Sequence, residues 1–210
     1  MKHILIADDH SVVRKGLKQI LLEAFPFAEI VEVADAEELF KKILKHKWDV
    51  VISDISMPGR SGLEVLQQIK QDQPKLPVLI LSVHSEEQYA LRVLKAGASG
   101  YLNKDSAPEE LVKAVNLLML GKKYISASVA EKLASSLDHD ANKPLHELLS
   151  DREFEVFKLL ATGKSVSEIA EQFALNVSTI STYRARIMEK MNLKTNADLT
   201  LYAIEFKLIQ

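Results

Sequence analysis

Five short apolar runs are separated by longer segments of helical spacing, and this alternation stops in the last third of the chain. The runs are His3–Ala7, Glu29–Val33, Asp49–Ser53, Val78–Ser82 and Gly100–Leu102. Between them, Val12-Val13, Leu17 and Ile20-Leu21 form a stripe with a period of about 3.6 residues. Leu39-Phe40 with Ile43-Leu44 repeats it, as do Leu63, Leu66, Ile69 and then Leu111-Val112, Val115, Leu118-Met119. Strands that are apolar almost throughout have both faces covered, so the pattern implies a parallel sheet between two layers of helices.

The number of units and their length predict a flavodoxin-like, doubly wound, five-stranded α/β domain over residues 1–122. Gly121 is placed to end its last helix. A short helix, Val129–Leu137, and an aperiodic polar stretch, Asp138–Pro144, make residues 123–146 a linker. Residues 147–210 are purely helical in pattern. Ser150 with Glu153 forms a capping box, Ser165 or Ser167 caps the next helix, Asn176 or Ser178 a third, and Thr195 or Asn196 a fourth. The inward positions are Phe154, Phe157, Leu160-Ala161, Ile169-Ala170, Phe173, Ile180, Ile187, Met191, Ala197, Leu199, Tyr202-Ala203 and Phe206. The short link Ala174–Val177 suits a helix-turn-helix, so a small all-α four-helix domain is expected.

The 210 residues are 47% apolar and 27% charged, with a net charge of −2, which excludes a globally basic nucleic-acid coat but not a local patch. Absence of Cys excludes disulfides, thiolate metal sites and a Cys nucleophile, and fits a reducing compartment. The opening MKHILIADDH is too short and too acidic for a signal peptide, and no stretch approaches the ~20 apolar residues of a membrane helix. A cytoplasmic protein is expected.

Chemistry collects where a parallel sheet places it, beyond the carboxyl ends of the strands. Asp8 and Asp9 follow the first run, Asp54 the third, Ser82 ends the fourth and Lys104 follows the fifth. Converging carboxylates repel unless a cation sits among them, and an oxygen-rich site of this kind suits Mg²⁺. Asp54 is then a nucleophile toward a phosphoryl group, with Lys104 neutralising its oxygens and the Ser82 hydroxyl donating to one. The six histidines are scattered without metal spacing; His10 and His84 fall near the acidic site, and Trp48 precedes the third strand.

In the helical domain, residues 177–194 carry four basic side chains against one acid, although the domain as a whole is at −1. Arg184, Arg186, Lys190 and Lys194 are candidates for phosphate or guanine contacts, Ser181, Thr182 and Ala185 for facing bases, and Thr179 for a phosphate near the helix start. Small reading residues make few bidentate contacts, which favours indirect readout of DNA shape.

Ile6-Ala7-Asp8-Asp9-His10, Val51–Gly59, Leu81-Ser82 and Tyr101–Lys104 resemble the receiver domain of bacterial two-component response regulators. Leu149–Glu153, Gly163-Lys164-Ser165, Glu168-Ile169-Ala170, Ser178–Ser181 and Lys190–Leu193 are similar to the LuxR-type helix-turn-helix. Together they look like a regulator of the NarL/FixJ group. The resemblance implies that Asp54 accepts a phosphoryl group from a sensor histidine kinase or phosphotransfer protein. It implies Mg²⁺ held by Asp9 and Asp54, with Asp8 acting through water and the Ser56 carbonyl as a backbone ligand. Ser82 and Tyr101 match the family's switch positions: Ser82 moves toward the phosphoryl group, and the Tyr101 ring turns inward, repacking the face of Val83–Ala96 and Leu111–Leu120. The outcome is control of transcription by homodimers on double-stranded DNA; whether the receiver or linker masks the recognition helix beforehand stays open. Apart from promoting its own phosphoryl transfer and dephosphorylation, no enzyme activity is expected.

Three departures stand out. Asp105 follows Lys104 where many receivers have Pro, so a cis X-Pro bond is not expected and a more mobile loop is. Tyr183 stands where His is common, and Val166-Ser167 replaces an Asn-Lys pair. Two other readings compete. A Mg²⁺-dependent phosphatase of the haloacid-dehalogenase type needs Asp-x-Asp, but the second acid is replaced by Ser56. A constitutive DNA binder with a degenerate receiver is opposed by the complete acidic set.

Overall fold

The computed structural model describes residues 1–57, 62–83, 86–126, 129–131 and 144–209. The chain divides into two compact units, Met1–Ser135 and Ser136–Gln210. The predicted linker Asp138–Pro144 falls outside the described residues except for Pro144, and of the predicted helix Val129–Leu137 only 129–131 are described, as helix. His84, His139 and the Pro58-Gly59 end of the Val51–Gly59 motif also lie outside them.

The first unit runs β1 (His3–Ala7), α1 (Ser11–Ala24), β2 (Glu29–Val33), α2 (Ala36–Lys45), β3 (Val50–Asp54), α3 (Gly62–Asp72), β4 (Val78–Ser82), α4 (Glu86–Lys95), β5 (Gly100–Asn103) and α5 (Ala107–Met119). The five strands pair in parallel in the order β2-β1-β3-β4-β5. Because successive side chains point to opposite faces, Ile4, Ile6, Val50, Ile52, Leu79, Leu81 and Leu102 share one face. They pack there with Leu17 and Leu21 of α1 and Leu111, Val115 and Leu118 of α5. The intervening Leu5, Val51 and Ile80 are equally buried, as are Leu39, Ile43, Leu66 and Ile69 of α2 and α3.

Two strand limits differ from the expected ones. β3 begins at Val50 and includes Asp54, because Asp54 pairs in register with Leu81; β5 extends to Asn103, which pairs with Ser82. The apolar stripes are narrower than the sequence suggests: Val12 and Leu44 are exposed at 80% and 69%. Trp48 is buried just before β3, its Nε1 donating to the Lys42 carbonyl at 3.0 Å. Gly121 adopts φ +73° after α5, as its position predicts.

The second unit contains α6 (Asp151–Ala161), α7 (Val166–Gln172), α8 (Val177–Met191) and α9 (Asn196–Glu205). Ser150, Ser165 and Thr195 each form a capping box with the acid three residues on. Asn176 is the N-cap of α8 through its backbone, without a side-chain hydrogen bond. Phe154, Phe157, Leu160, Ile169, Ile180, Ile187, Met191 and Leu199 form its buried set, whereas Ala197 and Phe206 are exposed, contrary to their expected inward placement. After α7 the chain turns with Ala174 at φ +52°; Leu175 N–H donates to Ala170 O and Ala174 N–H to Glu171 O. This is the double hydrogen bond of a Schellman turn, built on a residue other than Gly.

Gly62 opens α3 against the segment that follows the β3 acid. A Cβ at this position would stand 2.5 Å from both the Cα and the O of Ile55, backbone atoms that have nowhere to move. Gly62→Ala should destabilise the protein by about 1–3 kcal/mol, read as a lower urea midpoint with an unchanged slope.

Candidate functional site

All five strands point the same way, so their carboxyl ends meet on one edge. Asp8 directly follows β1, Asp54 and Ser82 end β3 and β4, and Lys104 follows β5. Asp8, Asp54 and Ser82 are almost wholly buried. Lys104 Nζ lies 2.7 Å from Asp8 Oδ2 and 2.8 Å from Asp54 Oδ2, bridging two strands through one ammonium. Ser56 N–H donates to the other Asp54 oxygen, Oδ1, at 3.2 Å. Asp9 sits at the rim, its Oδ1 2.7 Å from His10 Nδ1. The structure therefore brings Asp8, Asp9, Asp54 and Lys104 together, and Ser56 enters through its N–H.

Burial pushes the Asp54 carboxyl above its ordinary value; the hydrogen bond and charge of Lys104 oppose this, and the neighbouring Asp8 adds to it. Burial disfavours the Lys104 ammonium, yet the hydrogen bonds and charges of Asp54 and Asp8 outweigh it and raise its pKa. The partner of Asp8 Oδ2 is the Lys104 ammonium, and that of Asp9 Oδ1 is the His10 ring nitrogen. One donor atom each from Asp8, Asp9, His10 and Asp54 falls within 4.8 Å of the others, so this cluster is able to hold a metal ion. Its hard carboxylate oxygens fit Mg²⁺.

His10, which the sequence places near the acidic site, lies on Asp9 through the turn into α1, where its N–H donates to Asp8 Oδ1 at 2.7 Å. Arg14 carried no signal in the sequence. The Arg14 guanidinium reaches the Asp8 carbonyl, and Arg14 and Lys18 share Glu32. Tyr101 is buried at 1% exposure in β5, so its ring is already inward in this structure rather than awaiting an inward turn. The Lys104-Asp105 loop is a 3₁₀ turn, Lys104–Ser106, with Asn103 Oδ1 accepting from Asp105 N–H at 2.8 Å. No cis peptide occurs among the described residues.

In the second unit α8 follows the turn at Ala174, as a recognition helix does. Ser181, Thr182, Ala185, Arg186, Lys190 and Lys194 are exposed, and Thr179 and Arg184 partly so. Three of these side chains have internal partners. Thr182 Oγ1 donates to Ser178 O at 2.9 Å, Arg184 Nε to Asn196 Oδ1 at 2.9 Å, and Lys190 Nζ to Glu153 Oε2 at 2.6 Å. Glu153 is the acid of the α6 capping box, so Lys190 ties the far end of α8 to the start of α6. The 37-residue separation of this pair left no trace in any local pattern.

A doubly wound unit with an acidic strand-end pocket, followed by a helix-turn-helix unit, defines a DNA-binding regulator rather than a classical enzyme. Residues 4–116 match the response regulator receiver domain, and residues 147–203 the bacterial regulatory proteins of the luxR family. The chain belongs to the bacterial response regulators, in the NarL/FixJ group, and controls transcription. It is 34% identical to the response regulator UvrY of Escherichia coli (strain K12), over 97% of this chain and 94% of that protein. It is 37% identical to the oxygen regulatory protein NreC of Staphylococcus carnosus (strain TM300), with 98% of each covered. Among solved structures it resembles RcsB of Salmonella enterica serovar Typhimurium bound to promoter rprA in the presence of the phosphomimetic BeF3-. That likeness has a TM-score of 0.66 at 29% identity, over 96% of this chain and 98% of that one. Among the described residues, no helix is long and apolar enough to cross a membrane.

Two predictions follow from the ion pairs. Lys104→Met removes the cation between Asp8 and Asp54, raises the Asp54 carboxyl pKa further and destabilises the fold at pH 7 by about 1–3 kcal/mol. Lowering the pH to about 5 should narrow the gap from wild type in thermal melts, because protonation relieves the repulsion. Glu153 behaves oppositely. Burial raises its pKa, but Lys190 and Ser150 outweigh this and hold it below the ordinary 4.5. Its contribution is therefore present above pH 4.5 and lost as pH falls through the lower folded value. Glu153→Gln should cost about 1–3 kcal/mol at neutral pH, a difference from wild type that shrinks in melts below that point.

Proposed function

We propose that Asp54 is the phosphoacceptor, that Asp9 and Asp54 with the Ser56 carbonyl and a water on Asp8 hold Mg²⁺, and that phosphorylation governs binding of double-stranded DNA by α8. The observation that carries this reading is the single ammonium of Lys104 shared by two buried strand-end carboxylates. An Asp54 oxygen attacks the phosphorus of a phosphohistidine on a sensor histidine kinase or phosphotransfer protein. The new O–P bond forms as the P–N bond breaks, and the imidazole nitrogen leaves with the bonding pair. Bound Mg²⁺ supplies neutralisation of the phosphoryl oxygens. Lys104 turns from its two carboxylates to the new phosphoryl oxygens, and the Ser82 hydroxyl donates to another. Water attack on the same phosphorus later returns Asp54 to a carboxylate, so the receiver promotes only its own phosphorylation and dephosphorylation.

The phosphoryl group carries roughly −1.5 to −2; since it replaces the −1 of the Asp54 carboxylate, the pocket gains about one negative charge or less, beside a cation that is already shared. Differential contact with the two arrangements of Ser82 and Tyr101 then shifts the population of the receiver. A relative, RcsB, is bound to promoter DNA in the presence of a phosphomimetic, an arrangement this reading accommodates. On DNA, Ser181, Thr182 and Ala185 face base edges, while Arg186 and Lys194 meet phosphates together with Thr179; Arg184 and Lys190 reach phosphates from their internal anchors. Dimers bind two half-sites about one helical turn apart. A cytoplasmic location fits this role.

The test combines intact-mass spectrometry with DNA titration. With a small phosphodonor and Mg²⁺, the wild type should gain one phosphoryl group and bind a selected operator roughly tenfold more tightly. Asp54→Ala should show neither effect. One added phosphoryl group on the variant overturns the Asp54 assignment, whereas a phosphorylated wild type with unchanged DNA affinity favours a constitutive binder.

A further inference from the structure

Beyond α5 the chain folds back before it leaves the first unit. Gly121 reverses it, with Lys122 N–H donating to Leu117 O at 2.9 Å. Tyr124 then returns to the lateral edge of β5, the outermost strand of the sheet. It pairs in parallel with Gly100, and its N–H donates to Ser99 O at 2.9 Å. Its side chain is buried with Leu79, Leu102 and Leu118 in the core between the sheet and α5, and its hydroxyl donates to Glu110 Oε2 at 2.9 Å. Glycine at position 100 admits this contact: a Cβ there would stand 2.9 Å from Tyr124 O and 3.1 Å from Tyr124 Cβ. The bridge is isolated. Beside it a cleft of about 680 Å³ is lined by Ile125 and Ser126, by Leu102 and Asn103 of β5, and by Glu110 and Lys113. The returning segment is thus a strap seated at Gly100 and not paired along the whole strand.

β5 carries this seat at its first residue, and Lys104, the cation shared by Asp8 and Asp54, directly follows its last. Tyr101, buried, stands next to the seat. We propose that the Tyr124 strap is the output lever of the receiver: the state of Asp54 passes along β5 to the seat at Gly100, and the seated strap sets where the linker begins. The proposal rests on the reading of Asp54 as a phosphoacceptor whose modification favours an inward Tyr101. In this structure the seated strap accompanies an inward Tyr101, so phosphorylation tightens the seat. A seated Tyr124 takes the preceding residues out of the tether between the two units. In a dimer, a shorter tether raises the effective concentration of the second helical unit at the neighbouring half-site, so a tighter seat strengthens DNA binding. Tyr124 is a positioning residue that acts through β5. Held by one bridge and a hydroxyl hydrogen bond, it is a contact whose population a coupling of about tenfold can move.

Amide hydrogen exchange on the full chain, with and without a small phosphodonor and Mg²⁺, reads the seat at the Tyr124 N–H itself. Phosphorylation of the wild type should slow that exchange by about threefold or more. Tyr124→Ala should take up one phosphoryl group as the wild type does, while its gain in DNA affinity on phosphorylation falls from roughly tenfold to below about threefold. Wild-type exchange at Tyr124 that ignores phosphorylation, a measurement that needs no variant to fold, overturns the lever. So does a full gain in DNA affinity in phosphorylated Tyr124→Ala, and both results leave Asp54 standing as the phosphoacceptor. A wild type that takes up no phosphoryl group overturns the underlying reading instead.

Discussion

The ammonium of Lys104, held between Asp8 and Asp54, is the interaction on which the receiver's chemistry depends. A parallel sheet delivers the ends of β1, β3 and β5 to one edge whether or not their charges agree. Two buried carboxylates brought together there repel by about 4 kcal/mol at a separation of 4 Å and an effective dielectric constant of 20. One cation touching both offsets that repulsion, and it does so from the strand next but one to that of Asp54. The same economy makes the site responsive. Any new anionic group on Asp54 competes for the one ammonium and changes what holds β5 to its neighbours.

The helical unit solves a different electrostatic problem. Its recognition helix has to stay cationic toward DNA while remaining fixed to its own domain. The structure divides the labour: Arg184 and Lys190 are anchored to Asn196 and Glu153, while Arg186 and Lys194 have no ion-pair partner among the described residues. Glu153 does two jobs at once, since its Oε2 accepts from the Ser150 N–H at 2.7 Å and from Lys190 at 2.6 Å. A capping box that serves only α6 in the sequence thus also anchors the far end of α8 to the start of α6.

Much of this was legible in the residues because the signals are local. Buried strands show as unbroken apolar runs, and three of the four helix starts of the second unit follow from hydroxyl-plus-acid spacing. The pocket was legible because topology alone carries Asp8, Asp54 and Lys104 to one edge. What escaped lies in side-chain direction and long-range pairing. Val12 and Leu44 fit the helical stripes yet face water, since a stripe about 3.6 residues in period does not reveal its width. Asp54 belongs to β3 because its backbone pairs with Leu81, a contact across the sheet that the charged side chain conceals. His10 joins the pocket only through the torsions of the turn entering α1.

The departure after Lys104 shows how a local change is absorbed. A proline at that position fixes a backbone torsion directly; Asp105 has no such ring. Here the constraint passes to the preceding residue, because Asn103 Oδ1 accepts the Asp105 N–H and closes the 3₁₀ turn Lys104–Ser106. Asn103 is itself the last residue of β5, in register with Ser82. The aim of the Lys104 side chain is therefore tied to the β4–β5 ladder on one side and to the start of α5, with Pro108 in its first turn, on the other. If Lys104 passes from the two carboxylates to a phosphoryl group as proposed, a backbone held from both sides leaves the side-chain torsions to make that turn.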